Sequence, residues 1–192
     1  MDNPFYPVTH EVLNQPTPLA DFNMFTADTA LMQALRRENA GWAEADITLF
    51  GEDCGSAERL ELGYNANNHP PEFDSHDRFG HRVDLVSYHP AYHRLMKCAI
   101  ERGLHASPWT APRPGAHAAR AAEFYMQSQV EAGHGCPITM TFACPPALRK
   151  QKNLADFWLP KIQTCLYDPR NVPAEQKQGL TVGMAKIGRA HV

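Results

Sequence analysis

Apolar side chains recur at steps of three and four residues along most of this chain, which is the spacing of helices that bury one face. The first such stripe follows Asp28, a residue suited to capping a helix, and Gly41 is predicted to end that helix. Pro90 stands at the favoured first position of another helix. The helices predicted in this way cover residues 28–40, 42–50, 56–65, 90–102 and 116–132, a short apolar segment after Pro137, and a helical turn that ends at Pro160.

The pattern changes between residues 69 and 90, where apolar and polar residues alternate on either side of a polar turn. Alternation is typical of strands, so segments 72–74 and 83–86 are predicted to form a small β-hairpin. Residues 179–184, Gly-Leu-Thr-Val-Gly-Met, are predicted to form a core strand. The fold class is therefore expected to be mainly α, with one small hairpin and one further strand.

Composition and charge narrow the class of protein. Of the 192 residues, 43% are hydrophobic and 20% are charged, which is typical of a globular protein and not of a disordered tail. The formal net charge of -3 gives no overall attraction to nucleic acid or anionic lipid. No apolar run approaches the roughly 20 residues that cross a bilayer, and the N-terminus lacks the features of a secretory signal. A cytoplasmic protein without membrane contact is expected.

The sequence contains no strong metal or disulfide motif. Five cysteines, an odd number, occur without a Cys-x-x-Cys pair, so reduced thiols in the core are expected. His89 and His93 would share a helix face, as two metal ligands can, but no third ligand has a defined spacing. A capping role for His89 before Pro90 is therefore favoured over metal binding. Trp109 is expected to pack beneath its proline-rich loop and not to line an opening.

Short distinctive segments are spread along the chain in a fixed order: Asn14-Gln15-Pro16, Ala40-Gly41-Trp42, Leu60-Glu61-Leu62-Gly63, Pro70-Pro71-Glu72, His89-Pro90-Ala91, 129–133, 136–143 and Gly183-Met184. Together, over nearly all of residues 7–185, they resemble the flavin-dependent acyl-CoA dehydrogenases, and among them the AidB branch, which is associated with the response to DNA alkylation. The resemblance implies a helical N-terminal domain, a middle β-domain and a C-terminal helical bundle, assembled as a homotetramer around FAD.

By this resemblance the chain is an N-terminal fragment. Residues 1–27 would form an extended arm, residues 28–178 the helical domain, and residues 179–185 the start of a truncated middle β-domain. The family's flavin motif is expected directly after residue 185, whereas residues 186–192 read Lys-Ile-Gly-Arg-Ala-His-Val, a tail that does not look native. FAD is thus expected in the parent protein and not on the fragment alone. No catalytic, cofactor-binding or metal-binding residue is assigned here.

The resemblance also implies a reaction. In such proteins the flavin accepts a hydride from the acyl β-carbon while a carboxylate removes the α-proton. The fragment is expected to be inactive alone and to contribute subunit contacts and one wall of the acyl pocket, through Thr139, Met140 and Thr141. The threonine hydroxyls could equally bond back to the preceding helical turn.

Two other functions stay open on the sequence alone. The parent could chiefly bind and protect DNA, with a vestigial flavin site, or this part could be a purely structural oligomerisation module. In each case acyl-CoA or a similar small molecule and DNA would be bound through other regions of the parent.

Overall fold

The computed structural model describes residues 13–185. The predicted arm over residues 1–27 therefore lies partly outside the described residues, and the predicted tail over residues 186–192 lies wholly outside them. The α-helices are α1 (Thr29–Arg37), α2 (Glu44–Gly55), α3 (Ala57–Asn68), α4 (Pro90–Glu101), α5 (Ser107–Thr110), α6 (Ala116–Val130), α7 (Gly135–Ala143), α8 (Pro145–Leu148) and α9 (Lys152–Ile162). The strands are β1 (Glu72–His76) and β2 (Arg82–Ser87), and single 3-10 turns cover Gly41–Ala43 and Ala174–Gln176. The prediction of a mainly helical fold is confirmed.

Helix starts show ordinary capping chemistry, which was predicted at Asp28 and at Pro90. The Asp28 carboxylate accepts a hydrogen bond from the Leu31 N–H at 2.8 Å, which satisfies one of the free donors at the start of α1. The Ser56 hydroxyl does the same for α3, accepting from the Arg59 N–H at 3.2 Å. Pro90 is the first residue of α4, as predicted.

Three predicted helix boundaries were wrong. Asn39, with φ of 59°, ends α1 before Gly41 is reached. Gly51 lies inside α2 and does not break it; a β-carbon there would come within 2.7 Å of the Phe25 backbone nitrogen, so this glycine serves close packing. The last helix continues through Pro160 to its end at Ile162, so the distortion that a proline introduces is confined to the final turn.

Helix α6 lies at the centre of the bundle and packs against α1, α2, α3, α5 and α7. Side chains from the first half of the chain, among them Phe25, Leu35 and Ile47, form the main core with Met126 of this helix. A second core lies beneath α4 and α7 and contains Met96, Ala99, Ile100, Leu104 and Ile138. Trp109, which was expected to pack beneath its loop, stacks on Phe142 of α7 and meets the His117 ring of α6 edge-on, and its indole N–H donates to the Phe142 carbonyl at 2.7 Å.

The predicted hairpin is confirmed. Strands β1 and β2 pair antiparallel, with Phe73 opposite Val86 and Asp74 opposite Leu85, and a bulge follows Asp74. The segment 179–184, predicted as a strand, is in no β-ladder of the described residues. Two hydrogen bonds hold it instead: the Leu180 N–H donates to the Lys161 carbonyl at 3.0 Å, and the Val182 N–H donates to the Thr141 hydroxyl at 2.9 Å.

The five cysteine thiols are free, but they are not all in the core. Cys54 is buried, and burial raises the pKa of its thiol to about 12. Cys136 and Cys165 are exposed, so the prediction of core thiols was wrong for these two. Over residues 13–185, no helix has both the length and the apolar character needed to cross a bilayer.

Candidate binding groove

An open groove of about 630 Å³ lies where four parts of the chain meet. We call it the Met140 groove. Its walls come from the end of α3, the start of α4, the stretch from the α6–α7 connection into α7, and the segment 181–184. The lining side chains are mostly apolar or aromatic, and they include Pro70, Pro71, Tyr88, Tyr92, Pro137, Met140, Val182 and Met184.

The three residues predicted for a substrate pocket do not converge on this groove. Met140 lines it. Thr141 is fully buried; its hydroxyl donates to the Pro137 carbonyl at 2.7 Å and accepts from the Val182 N–H, so it holds the groove's rim. Thr139 is exposed and does not line the groove. The hydrogen bond to the preceding helical turn is thus present at Thr141. The same hydroxyl also holds the Val182 N–H, a contact that the sequence did not indicate.

A buried chain of polar side chains reaches the groove from the core. The Arg59 guanidinium donates to the Gln127 side-chain oxygen at 3.1 Å, and the Gln127 amide nitrogen lies 2.7 Å from Nε2 of His134. Nδ1 of His134 lies 2.7 Å from the Glu131 carboxylate. Since the amide can only donate, Nε2 must accept and Nδ1 must carry the proton. When His134 is neutral, each of these four side chains therefore has a hydrogen-bond partner of the complementary kind in the chain.

The electrostatics agree with this arrangement. Burial lowers the pKa of His134, which is 1% exposed, and outweighs the opposing effect of Glu131. For Glu131, burial raises the pKa, but hydrogen bonds from the backbone and ring of His134 and from the Gly133 N–H hold it below its usual value. A neutral imidazole next to an ionised carboxylate is the result.

Because His134 is neutral in this polar chain, we expect the protein to become less stable as the pH falls below neutrality. In the unfolded chain a histidine binds a proton at a pKa of about 6.5, whereas folded His134 stays neutral to lower pH. The unfolding free energy should therefore fall as the pH drops through the unfolded pKa, and the loss should end below the folded one. Burial also lowers the pKa of His105 and His93, which adds to the slope in the same direction.

Urea denaturation between neutral and mildly acidic pH measures this slope. We expect His134→Gln to reduce it by up to about 1.4 kcal/mol per pH unit. The matched control is His76→Gln, because His76 is exposed on the hairpin and lies outside the polar chain from Arg59 to Glu131. Equal slopes in the wild-type chain and the His134 variant would contradict a neutral, buried His134.

Aromatic pairs form the side of the groove near α4, which the sequence did not reveal. The Tyr88 and Tyr92 rings are stacked with centroids 4.3 Å apart, and the His69 and His89 rings are stacked at 4.4 Å. Nδ1 of His89 accepts from the Ala91 N–H at 3.2 Å, which is the predicted capping role. The sequence carried no signal for the tyrosine pair, because Tyr88 precedes α4 and only Tyr92 lies in the helix.

The two histidines considered as metal ligands have separate partners. His89 caps α4, whereas Nδ1 of His93 lies 2.7 Å from the Tyr167 hydroxyl. In the described part of the chain, no group of three or more His, Cys, Asp or Glu side chains is arranged to hold a metal ion.

Charge is nearly absent from the groove. Among residues 13–185 no lysine or arginine lines it, and Glu131 is the one carboxylate of that range that does. That carboxylate already accepts from two backbone N–H groups and the His134 ring. The groove is therefore suited to an uncharged, apolar ligand segment and not to a phosphate.

Comparison with known proteins gives consistent matches. Residues 14–169 match the family model of the adaptive response protein AidB N-terminal domain. The chain is 45% identical over 179 residues to the putative acyl-CoA dehydrogenase AidB of Escherichia coli strain K12, covering 92% of this chain and 33% of that protein. It therefore spans about a third of the length of this curated relative.

Solved structures show a similar fold. The apo-form of Bd2924 superposes with a TM-score of 0.70 at 25% identity, over 78% of this chain and 31% of that one. Caenorhabditis elegans ACDH-11 in complex with C11-CoA also gives a TM-score of 0.70, at 20% identity, over 81% of this chain and 28% of that one. At that identity, the second likeness concerns the fold alone.

Proposed function

This chain belongs to the family of adaptive response protein AidB N-terminal domains, and from that membership we propose that its Met140 groove is one wall of an acyl-binding pocket in a longer, FAD-dependent acyl-CoA dehydrogenase-like protein. The observation that carries the proposal is the apolar lining of the groove, to which the described residues contribute no lysine or arginine. A methylene chain gains free energy by leaving water for such a surface, whereas a phosphate would find no partner there. A protein of the same fold has been solved with C11-CoA.

The same observation argues against a flavin site formed by these residues alone. FAD carries a pyrophosphate, and within the described part of the chain no lysine or arginine lines the groove to bind it. FAD binding is therefore assigned to other parts of the longer protein, and this part alone is expected to lack dehydrogenase activity. Its own residues would orient the apolar chain and exclude water from it.

Glu131 is not proposed as the catalytic base. Its carboxylate is saturated by hydrogen bonds, and its side chain is only 9% exposed. A base must reach the proton that it removes. In this proposal Glu131 instead fixes the connection between α6 and α7, and the base comes from another part of the longer protein.

The remaining expectations concern the longer protein. We propose that residues 28–178 act as one helical domain, that residues 179–185 lead into a second domain, and that the whole assembles as a homotetramer. A role in the DNA alkylation response is proposed from the AidB branch. DNA contact is assigned outside this part, because many of its arginines are engaged by carboxylates, such as Arg36 by Glu44, Arg94 by Glu58 and Arg170 by Asp168.

A chimaera tests the acyl pocket. Residues 14–185 of this chain would replace the matching third of the E. coli relative. The loss of flavin absorbance on adding acyl-CoA would then report reduction of the bound flavin. We expect Met140→Glu to weaken acyl-CoA binding by about 100-fold, because it places a charge without a partner in an apolar groove.

The control lies one residue away. Thr139→Glu adds the same charge to the same helix at an exposed position outside the groove, and binding should stay within about twofold. A flavin-loaded chimaera in which the two variants bind acyl-CoA equally well would show that the groove is not part of the pocket.

A further inference from the structure

A small cavity of about 170 Å³ lies between α2, α6 and the segment that joins α5 to α6. We call it the Arg120 cavity. Ala116 and Ala119 of α6 form part of its wall, and Ser107 adds a hydroxyl. Its lining also includes five charged side chains: Asp46, Arg102, Arg113, Arg120 and Glu123. It shares no lining residue of the described chain with the Met140 groove, so it is a separate site.

The charges in this cavity do not cancel. Both carboxylates, those of Asp46 and Glu123, bind the same guanidinium, that of Arg102. Arg113 and Arg120 form no ion pair with a carboxylate among residues 13–185. Three cations against two carboxylates leave one positive charge in excess in the lining. Burial also raises the pKa of Glu123, and loss of its charge would only increase that excess.

Arg120 is fixed in place but lacks a partner for one nitrogen. Its Nε donates to the Leu104 carbonyl at 2.8 Å, and its guanidinium carbon lies 4.6 Å and 4.1 Å from the centres of the Phe124 and Phe142 rings. Nη2 is buried and has no hydrogen-bond partner within the described part of the chain. Burial lowers the pKa of Arg120 and outweighs the attraction to Glu123, so the cost of burying this charge is only partly offset. Water would satisfy the hydrogen bond, but only an anion would also offset the charge.

Arg113 brings a second such cation to the same cavity. Its guanidinium carbon lies 3.0 Å from the centre of the Trp42 ring, and the Trp42 indole N–H donates to the Pro114 carbonyl at 3.0 Å. Stacking on a fixed ring holds the planar guanidinium and leaves its N–H groups available to donate. Ala116, the first residue of α6, lies in the same wall, and no side chain caps the start of that helix. The partial positive charge of the helix start therefore adds to that of the two arginines.

From these contacts we infer that the Arg120 cavity binds a phosphate group, with Arg113 and Arg120 as its two cationic ligands. Guanidiniums match the paired oxygens of a phosphate, and hydrogen bonds between two charged groups are about twice as strong as neutral ones. Drug-sized ligands fill roughly 300–1,000 Å³, so a cavity of about 170 Å³ admits only a small group. The phosphate is either the free inorganic ion or one phosphate of a larger molecule that stays outside. This site does not depend on the proposed acyl pocket.

Isothermal titration calorimetry of the full chain with inorganic phosphate tests the site, with sodium chloride at equal ionic strength as the reference. We expect saturable binding to the wild-type chain. Arg113→Gln removes one of the two cations at an exposed position and should weaken binding about tenfold or more. Arg78→Gln is the matched control, because Arg78 is also exposed and also covers an aromatic ring, that of Phe79 at 4.5 Å, but lies on the hairpin. Its affinity should stay within about twofold of the wild type.

Coenzyme A and dephospho-coenzyme A, which differ by one phosphate, distinguish the two sources. A preference for coenzyme A that Arg113→Gln removes would assign the site to a phosphate on a larger ligand, whereas saturable inorganic phosphate without that preference would assign it to the free ion.

Two results would overturn the inference. One is the absence of saturable phosphate binding together with equal binding of the two coenzymes. The other is equal phosphate affinity in the wild type and in Arg113→Gln that circular dichroism shows to be folded. Either result leaves the acyl pocket standing, because the described chain contributes different residues to the two sites.

Discussion

Gly63→Ala is expected to lower the unfolding free energy by about 3 kcal/mol or more. A β-carbon at this position of α3 would lie 2.1 Å from the Val130 carbonyl oxygen and 2.9 Å from its carbonyl carbon. Both are backbone atoms of α6, which cannot move aside as a flexible side chain can. The two helices would have to separate, and the gain of about 1 kcal/mol in helix propensity would not offset that loss.

Urea denaturation of the full chain measures the effect. Gly41→Ala is the matched control, because an added β-carbon there meets no atom within 4 Å. Its unfolding free energy should stay the same or rise by less than about 1 kcal/mol. Comparable losses in both variants would mean that the close approach of α3 and α6 does not determine the stability.

Glycines illustrate what the sequence could not predict. Gly51 was interpreted as a helix break, yet it lies inside α2, where the backbone of an earlier segment crosses it. A glycine needed for a turn and one needed for close packing look alike in one sequence, since the difference depends on a distant partner. The caps at Asp28, Ser56 and His89 involve residues two or three positions away. Because such contacts are local in sequence, the caps at Asp28 and His89 could be predicted.

In the candidate site, too, local features could be predicted from the sequence and contacts with distant residues could not. Consecutive residues of a helix project about 100° apart, so Thr139, Met140 and Thr141 could not all face one groove, and only Met140 lines it. The contact between His93 and Tyr167 depends on how the loop after α9 folds back onto α4, which periodicity does not encode. The hairpin, by contrast, was predictable because its two strands are neighbours in sequence.

Gln127→Leu is expected to lower the unfolding free energy by roughly 3 kcal/mol, and more if the core cannot adjust. Gln127 is 2% exposed and joins two groups that are 75 positions apart in the chain, Arg59 and His134. Leucine would leave a buried guanidinium without its acceptor and a buried ring nitrogen without its donor. Arg59 would keep only the Asp53 carboxylate at 3.6 Å, while its Nε already has no hydrogen-bond partner among the described residues.

The consequence should extend from the core to the groove. Without Gln127, His134 loses the partner that fixes its tautomer, so its hold on Glu131 should weaken. Amide exchange at Gly133 and His134, whose N–H groups bind that carboxylate, should then become faster than global unfolding explains. Gln129→Leu, the same change at an exposed position of α6, should alter neither stability nor exchange. A stable Gln127→Leu variant with unchanged exchange would mean that the polar chain from Arg59 to Glu131 does not support the wall of the groove.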